Sequence, residues 1–110
     1  MSKIEENMER IEQIKTFLND TPEDTFLNYA LAIEYVALAR DSEARIIFEK
    51  LLLQEPDYSA TYYHLGKLYE RQEEDQLAEE TYEKGMEVTK RLGEKHAHGE
   101  LRGAYEELTF

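Results

Sequence analysis

Apolar residues recur at helical spacing along nearly the whole chain, and no stretch alternates with period two strongly enough to read as a strand. The pattern predicts six helices, over residues 3–19, 24–38, 42–54, 58–72, 75–91 and 94–108. The breaks hold Thr21-Pro22, Pro56-Asp57 and Leu92-Gly93, with short acidic or polar turns near Asp41 and at Glu73-Glu74-Asp75. Proline ends a helix because it lacks the N–H donor and clashes with the preceding turn. Connections of only a few residues oblige neighbouring helices to run antiparallel. The expected fold class is therefore all-α.

The pattern also repeats. The chain's two prolines, Pro22 and Pro56, stand 34 residues apart. At that offset Tyr29 falls on Tyr63, Leu31 on Leu65, Ala32 on Gly66 and Tyr35 on Tyr69. Further on, Ala44 falls on Ala78, Phe48 on Tyr82, Glu49-Lys50 on Glu83-Lys84, and Leu52 on Met86. A fixed period of this length signals stacked helical repeats. It also explains Gly66, which costs a helix interior about 1 kcal/mol relative to Ala. The first helix of each repeat offers a large-small pair, Leu31-Ala32 and Leu65-Gly66. The second offers a small residue four before an aromatic, Ala44 with Phe48 and Ala78 with Tyr82. Small residues let helix axes approach, and the aromatic fills the space beside them. Leucine at position 66 should overpack that contact, whereas alanine should be tolerated, as Ala32 is at the equivalent place.

These residues resemble the tetratricopeptide repeat, whose signature is W-x2-L-G-x2-Y, then A-x3-F, then P. The first repeat, about Thr25 to Tyr58, supplies Leu31, Ala32, Tyr35, Ala44, Phe48 and Pro56. The second, about Ser59 to Leu92, supplies Leu65, Gly66, Tyr69, Ala78 and Tyr82. Together they cover about 60% of the chain. Asn28 and Tyr62 stand where the family has Trp, Lys90 stands at the closing proline, and Ala39 and Glu73 stand at the turn glycine. Lys90 lets its helix run on towards Gly93. The resemblance implies a short right-handed solenoid of antiparallel helix pairs. The flanks fit as caps. Ile4, Met8, Ile11, Ile14 and Leu18 form one apolar stripe within a half-repeat over 3–22. Ala97, Leu101, Ala104, Tyr105 and Leu108 form another within a capping helix over 93–110. Residues 1–110 then make one domain.

Charge and composition restrict the function. The formal net charge is −12, from 25 acidic against 13 basic residues. Phosphate backbones and anionic lipid repel such a chain, so no nucleic-acid and no membrane partner is expected. The acidity serves solubility or attracts basic partner segments. With no cysteine, disulfides and thiolate chemistry are excluded. MSKIEENMER has no apolar signal-peptide core, and no run approaches the ~20 apolar residues that span a bilayer. The expected location is cytoplasmic.

No pattern points to catalysis. His96 and His98 are two apart and project to nearly opposite sides of a helix. His64 and His98 stand 34 apart and could face one another across neighbouring first helices, but a pair is too few ligands for a metal site. There is no glycine-rich phosphate loop and no H-E-x-x-H, and the carboxylates scatter over helix surfaces and turns. The expectation is a non-enzyme with no cofactor.

The candidate site is a surface. In TFLNYALAIEYVALA, Leu27, Leu31, Tyr35 and Leu38 line one face, and Phe26, Tyr29, Ile33, Val36 and Ala37 line a second. The second face exceeds what one repeat needs for its own packing. Either it packs on neighbouring helices or it floors a groove for a protein or peptide partner, since the family's first helices line the concave surface. The corresponding positions of the second repeat are mixed: Tyr63, His64, Lys67, Glu70 and Arg71. The partner-binding residues expected are Tyr29, Ile33, Val36 and Tyr63 as apolar anchors, with His64, Lys67 and Arg71 beside them. Lys67 and Arg71 would orient an acidic group. The chaperone carboxylate clamp of some family members is matched poorly, because Tyr29, Ala30 and Ile33 stand where asparagine and lysine are wanted. A homodimer through the same apolar face is the alternative.

Overall fold

The computed structural model describes residues 1–110 as six α-helices and no strands. They are α1 (Lys3–Asp20), α2 (Thr25–Ala37), α3 (Asp41–Gln54), α4 (Ala60–Arg71), α5 (Asp75–Leu92) and α6 (Lys95–Thr109). Each lies within two residues of its sequence-predicted span. The helices gather into two compact units, Met1–Glu55 and Pro56–Phe110.

In Met1–Glu55, α1 packs on α2 and α2 on α3. Helix α1 starts at a capping box: Ser2 Oγ accepts from the Glu5 N–H at 3.1 Å, and Glu5 reaches back to the Ser2 N–H. Asp24 caps α2 by accepting from the Leu27 N–H at 2.8 Å. These bonds satisfy donors that a helix start leaves open. Leu31, Ala32 and Tyr35 of α2 are buried, as are Ala44, Phe48 and Leu51 of α3. The apolar stripe expected on α1 is only partly covered. Ile11 is buried and Ile14 and Leu18 half-buried, but Ile4 and Met8 are exposed, and the buried neighbour is Asn7. The reason is polar. Arg10 Nε donates to Glu34 Oε1 of α2 at 2.9 Å, and its Nη2 donates to Asn7 Oδ1 at 3.2 Å. This network draws the Asn7–Arg10 edge of α1 onto α2 and rotates Ile4 and Met8 outward.

In Pro56–Phe110, α5 packs on both α4 and α6. Gly66 does mark a close helix contact, but one tighter than alanine fits. A Cβ on Gly66 would lie 2.2 Å from Tyr82 Cε1 and 2.7 Å from Cδ1 and Cζ. Alanine is therefore excluded at 66 unless the ring moves. The Tyr82 ring is fully buried and its hydroxyl donates to Glu70, so it is held at both ends. The first repeat has Ala32 and Phe48 at the equivalent places, both buried, and Phe48 carries no hydroxyl. A second close approach was not foreseen: a Cβ on Gly85 would meet Tyr62 Cβ at 2.7 Å and Leu101 Cδ1 at 3.0 Å, where α4, α5 and α6 converge. Tyr62, at the family's Trp position, is buried and donates to the Pro56 carbonyl at 2.6 Å.

Ala39 and Glu73, the residues at the family's turn glycine, both adopt left-handed backbone, with φ of 59° and 60°. Arg40 N–H bonds the Tyr35 carbonyl and Ala39 N–H the Val36 carbonyl; Glu74 and Glu73 bond Tyr69 and Glu70 in the same way. These are Schellman closures, whose left-handed residue is normally glycine. Gly93 makes the third, at φ 74°, and α5 does run on past Lys90 to Leu92.

Candidate functional site

The hollow that gathers the most sequence-predicted residues lies within Pro56–Phe110, between the N-terminal halves of α4 and α6. It is an open groove of about 600 Å³. From α4 it is lined by Ala60, Tyr63 and His64, and from α6 by Ala97, Glu100 and Leu101. Ser59, Glu94, Lys95 and His96 form its end and rim. The α4 positions follow from helical spacing. Leu65, Gly66 and Tyr69 face α5 and the core, which turns Tyr63, His64 and Lys67 to the other side.

Tyr63 and His64 meet edge to face, with ring centroids 5.9 Å apart. Lys67 Nζ stands 5.7 Å from the Tyr63 ring centre and 3.8 Å from Glu70 Oε2. The ammonium thus has a carboxylate and an aromatic face as neighbours. Arg71 is exposed on the same helix, two turns from His64. Burial pushes the His64 imidazole below its ordinary pKa; the Arg71 charge adds to this, and the Glu100 carboxylate across the groove opposes it. Burial and the Arg71 charge thus disfavour the protonated imidazole. Ser59 Oγ donates to Glu94 Oε1 at 2.5 Å, tying the start of α4 to the start of α6. Burial and the Glu70 hydrogen bond likewise raise the Tyr82 phenol far above its usual range, so it stays a donor.

The sequence marks Ala97 and Leu101 as the apolar stripe of a capping helix and not as the wall of a site, although the 34-residue register makes Ala97 equivalent to Tyr63 and Leu101 to Lys67. The structure does not pair His64 with His98, which lines a separate hollow with Thr89, Lys90 and Gly93. No three His, Cys, Asp or Glu side chains are grouped so as to hold a metal ion.

The other sequence-predicted residues belong to Met1–Glu55. Tyr29, Ile33 and Val36 of α2 are all half-buried. The Tyr29 ring packs 6.3 Å from the Phe48 ring of α3. Phe26 is 65% exposed, so this face is neither closed core nor fully open. No helix is long and apolar enough to cross a membrane.

Repeated helix pairs closed by left-handed turns, with small residues under aromatics, define a helical-repeat protein. Comparison with known structures identifies which kind. A tetratricopeptide repeat domain protein of Salinibacter ruber is 43% identical in its solution NMR structure, over 80% of this chain and 89% of that one, with a TM-score of 0.76. In its crystal structure the identity is 42%, over 77% and 96% of the two chains, with a TM-score of 0.75. The chain belongs to the tetratricopeptide repeat family. The Sgt2 tetratricopeptide domain of Aspergillus fumigatus shares the fold at 23% identity, over 94% of this chain and 70% of that one, with a TM-score of 0.73. No protein-family profile and no curated protein sequence matches. The fold is that of a protein-interaction module.

Proposed function

We propose that the chain is a non-catalytic module that binds an extended or helical segment of a partner protein along the exposed side of its first helices. The observation that carries this reading is the α4–α6 groove, whose accessible apolar walls are Tyr63 and Ala97, backed by the buried Leu101, and whose volume of about 600 Å³ accommodates one or two side chains. Aromatic anchors in such grooves typically contribute about 2 kcal/mol or more each. Lys67 and Arg71, farther along α4, orient an acidic group of the same segment. In the other unit Tyr29, Ile33 and Val36 offer a second apolar surface. A single tetratricopeptide domain over residues 1–110, acting in the cytoplasm without nucleic acid, membrane or cofactor, is the setting we propose.

The test is capture of partner proteins from native lysate by the full chain, beside two variants. Ala97→Phe fills the groove at a half-exposed position, and Tyr29→Ala with Ile33→Ser strips the α2 face. Capture should fall with Ala97→Phe while far-UV circular dichroism stays helical. A captured set unchanged by both variants would place the activity elsewhere. A second reading, self-association, draws on Phe17, Phe26, Ile46 and Leu53, which are large, apolar and exposed. Light scattering over a concentration series separates it from a monomer awaiting a partner.

A further inference from the structure

The α4–α6 groove carries information about the chemistry of its occupant. Its floor is apolar, but its charged groups are unbalanced: the carboxylates of Glu94 and Glu100 face the single ammonium of Lys95. Glu94 already accepts the Ser59 hydroxyl. Glu100 is placed differently. It projects from the same α6 turn as Ala97 and Leu101, directly beside the apolar walls. Its one close basic neighbour is His96 Nε2 at 3.6 Å, an ion pair only when that imidazole is protonated. Across the groove, burial disfavours the charged form of His64, which makes it a poor counter-ion for Glu100. Of the α4 cations, Lys67 is engaged by Glu70 and the Tyr63 ring, and Arg71 stands two turns beyond His64, outside the groove lining.

We propose, resting on the groove reading above, that the site selects a basic amphipathic segment of a partner protein. One aliphatic or aromatic side chain of that segment packs against Tyr63 and Ala97, above the buried Leu101, and a neighbouring lysine or arginine lies on the Glu100 carboxylate. The apolar walls supply most of the affinity, and Glu100 supplies the discrimination. The chain's net charge of −12 acts in the same sense at longer range, drawing basic segments to the surface and making a second copy of this chain a poor occupant. An acidic group placed in the groove itself, rather than beside Lys67 and Arg71 farther along α4, would bring a third carboxylate to Glu94 and Glu100 and desolvate it there, which is unfavourable.

The experiment selects binders to the full-length wild-type chain from a phage-displayed random-peptide library and repeats the selection on Glu100→Lys. Wild-type binders should be enriched in an apolar residue adjacent to Lys or Arg. Selection on Glu100→Lys should lose that enrichment or replace it with Asp or Glu. For the best wild-type peptide, fluorescence anisotropy should show about threefold to fivefold weaker binding when its basic residue becomes Gln. Glu100→Gln should have the same effect, and the two changes together should cost no more than either alone. Binders that Ala97→Phe abolishes but that show no basic preference would leave the groove reading standing and overturn this inference. Binders indifferent to both Ala97→Phe and Glu100→Lys, or no binders at all, would overturn both. Circular dichroism of each variant confirms that it is folded.

Discussion

Replacing Gly66 by alanine tests the packing of the second repeat most directly. The added methyl would sit 2.2 Å from one ring carbon of Tyr82 and 2.7 Å from two others, inside any permitted contact distance. The ring cannot retreat freely, because it is fully buried and its hydroxyl is bonded to Glu70. Two effects oppose one another. Overpacking of this kind costs about 1–3 kcal/mol, while alanine recovers about 1 kcal/mol of helix propensity. The clash involves three ring atoms at once, so it should reach the upper part of its range and leave a net loss of about 1–2 kcal/mol. With a urea m-value of about 2 kcal/mol/M, the middle of the usual range, the midpoint should fall by roughly 0.5–1 M. The informative control is Tyr82→Phe, which releases the ring from Glu70 and reproduces the Ala32/Phe48 pairing of the first repeat. In that background Gly66→Ala should cost about 1 kcal/mol less, a coupling of the size expected for touching residues. Gly66→Leu should be worse in either background. A urea midpoint that rises on Gly66→Ala, or a cost unchanged by Tyr82→Phe, would refute the account of this contact.

Glu73→Gly should stabilise by up to about 1 kcal/mol, and Ala39→Gly similarly, because a left-handed residue with a Cβ costs roughly 1–2 kcal/mol, partly offset by the larger unfolded-state entropy of glycine; thermal melts of the single variants check this. Thr61→Val should stabilise by about 1 kcal/mol, since Thr61 Oγ1 is buried without a hydrogen-bond partner and an apolar group of the same shape removes that desolvation cost; an unchanged melting temperature would show that the hydroxyl is satisfied. His64 should make stability pH-dependent in a definite direction. Its folded pKa lies below the ordinary 6.5, so the unfolded chain binds the proton more readily. Its contribution is complete above that pH and is lost as pH falls from 6.5 through the folded value. Urea midpoints at roughly pH 8 and pH 5 should therefore differ more in the wild type than in His64→Gln. Asp57 acts on the acid side. The Arg91 hydrogen bond holds its carboxyl below the ordinary range, so its contribution, present above its unfolded pKa, is lost as pH falls through the folded value. Asp57→Asn should flatten that limb of the stability profile.

Much of the fold was legible in the sequence because its signals are local or periodic. Helix ends follow from Pro22, Pro56 and Gly93, whose backbone limits act on their immediate neighbours. The repeat follows from a 34-residue register of packing residues, which needs no knowledge of their contacts. Even the need for a small residue at 66 could be read, because Leu65, Gly66 and Tyr82 recur as a set. What the sequence could not carry was distance. Whether alanine fits at 66 depends on a gap to Tyr82 that the Glu70 hydrogen bond sets, and that bond joins two helices. The α1 stripe was misread for a similar reason: hydropathy ranks Ile4 and Met8 above Asn7, but the Arg10–Glu34 pair decides which edge of α1 turns inward. The groove shows the same division. Tyr63, His64 and Lys67 were visible as a polar-aromatic face of one helix. Its opposite wall, Ala97, Glu100 and Leu101, became part of a site only when α6 packed against α5 and came to lie beside α4. Sequence determines the face a helix presents, since that follows from 3.6 residues per turn. Tertiary packing decides what stands opposite it, because that depends on contacts between residues far apart in the chain.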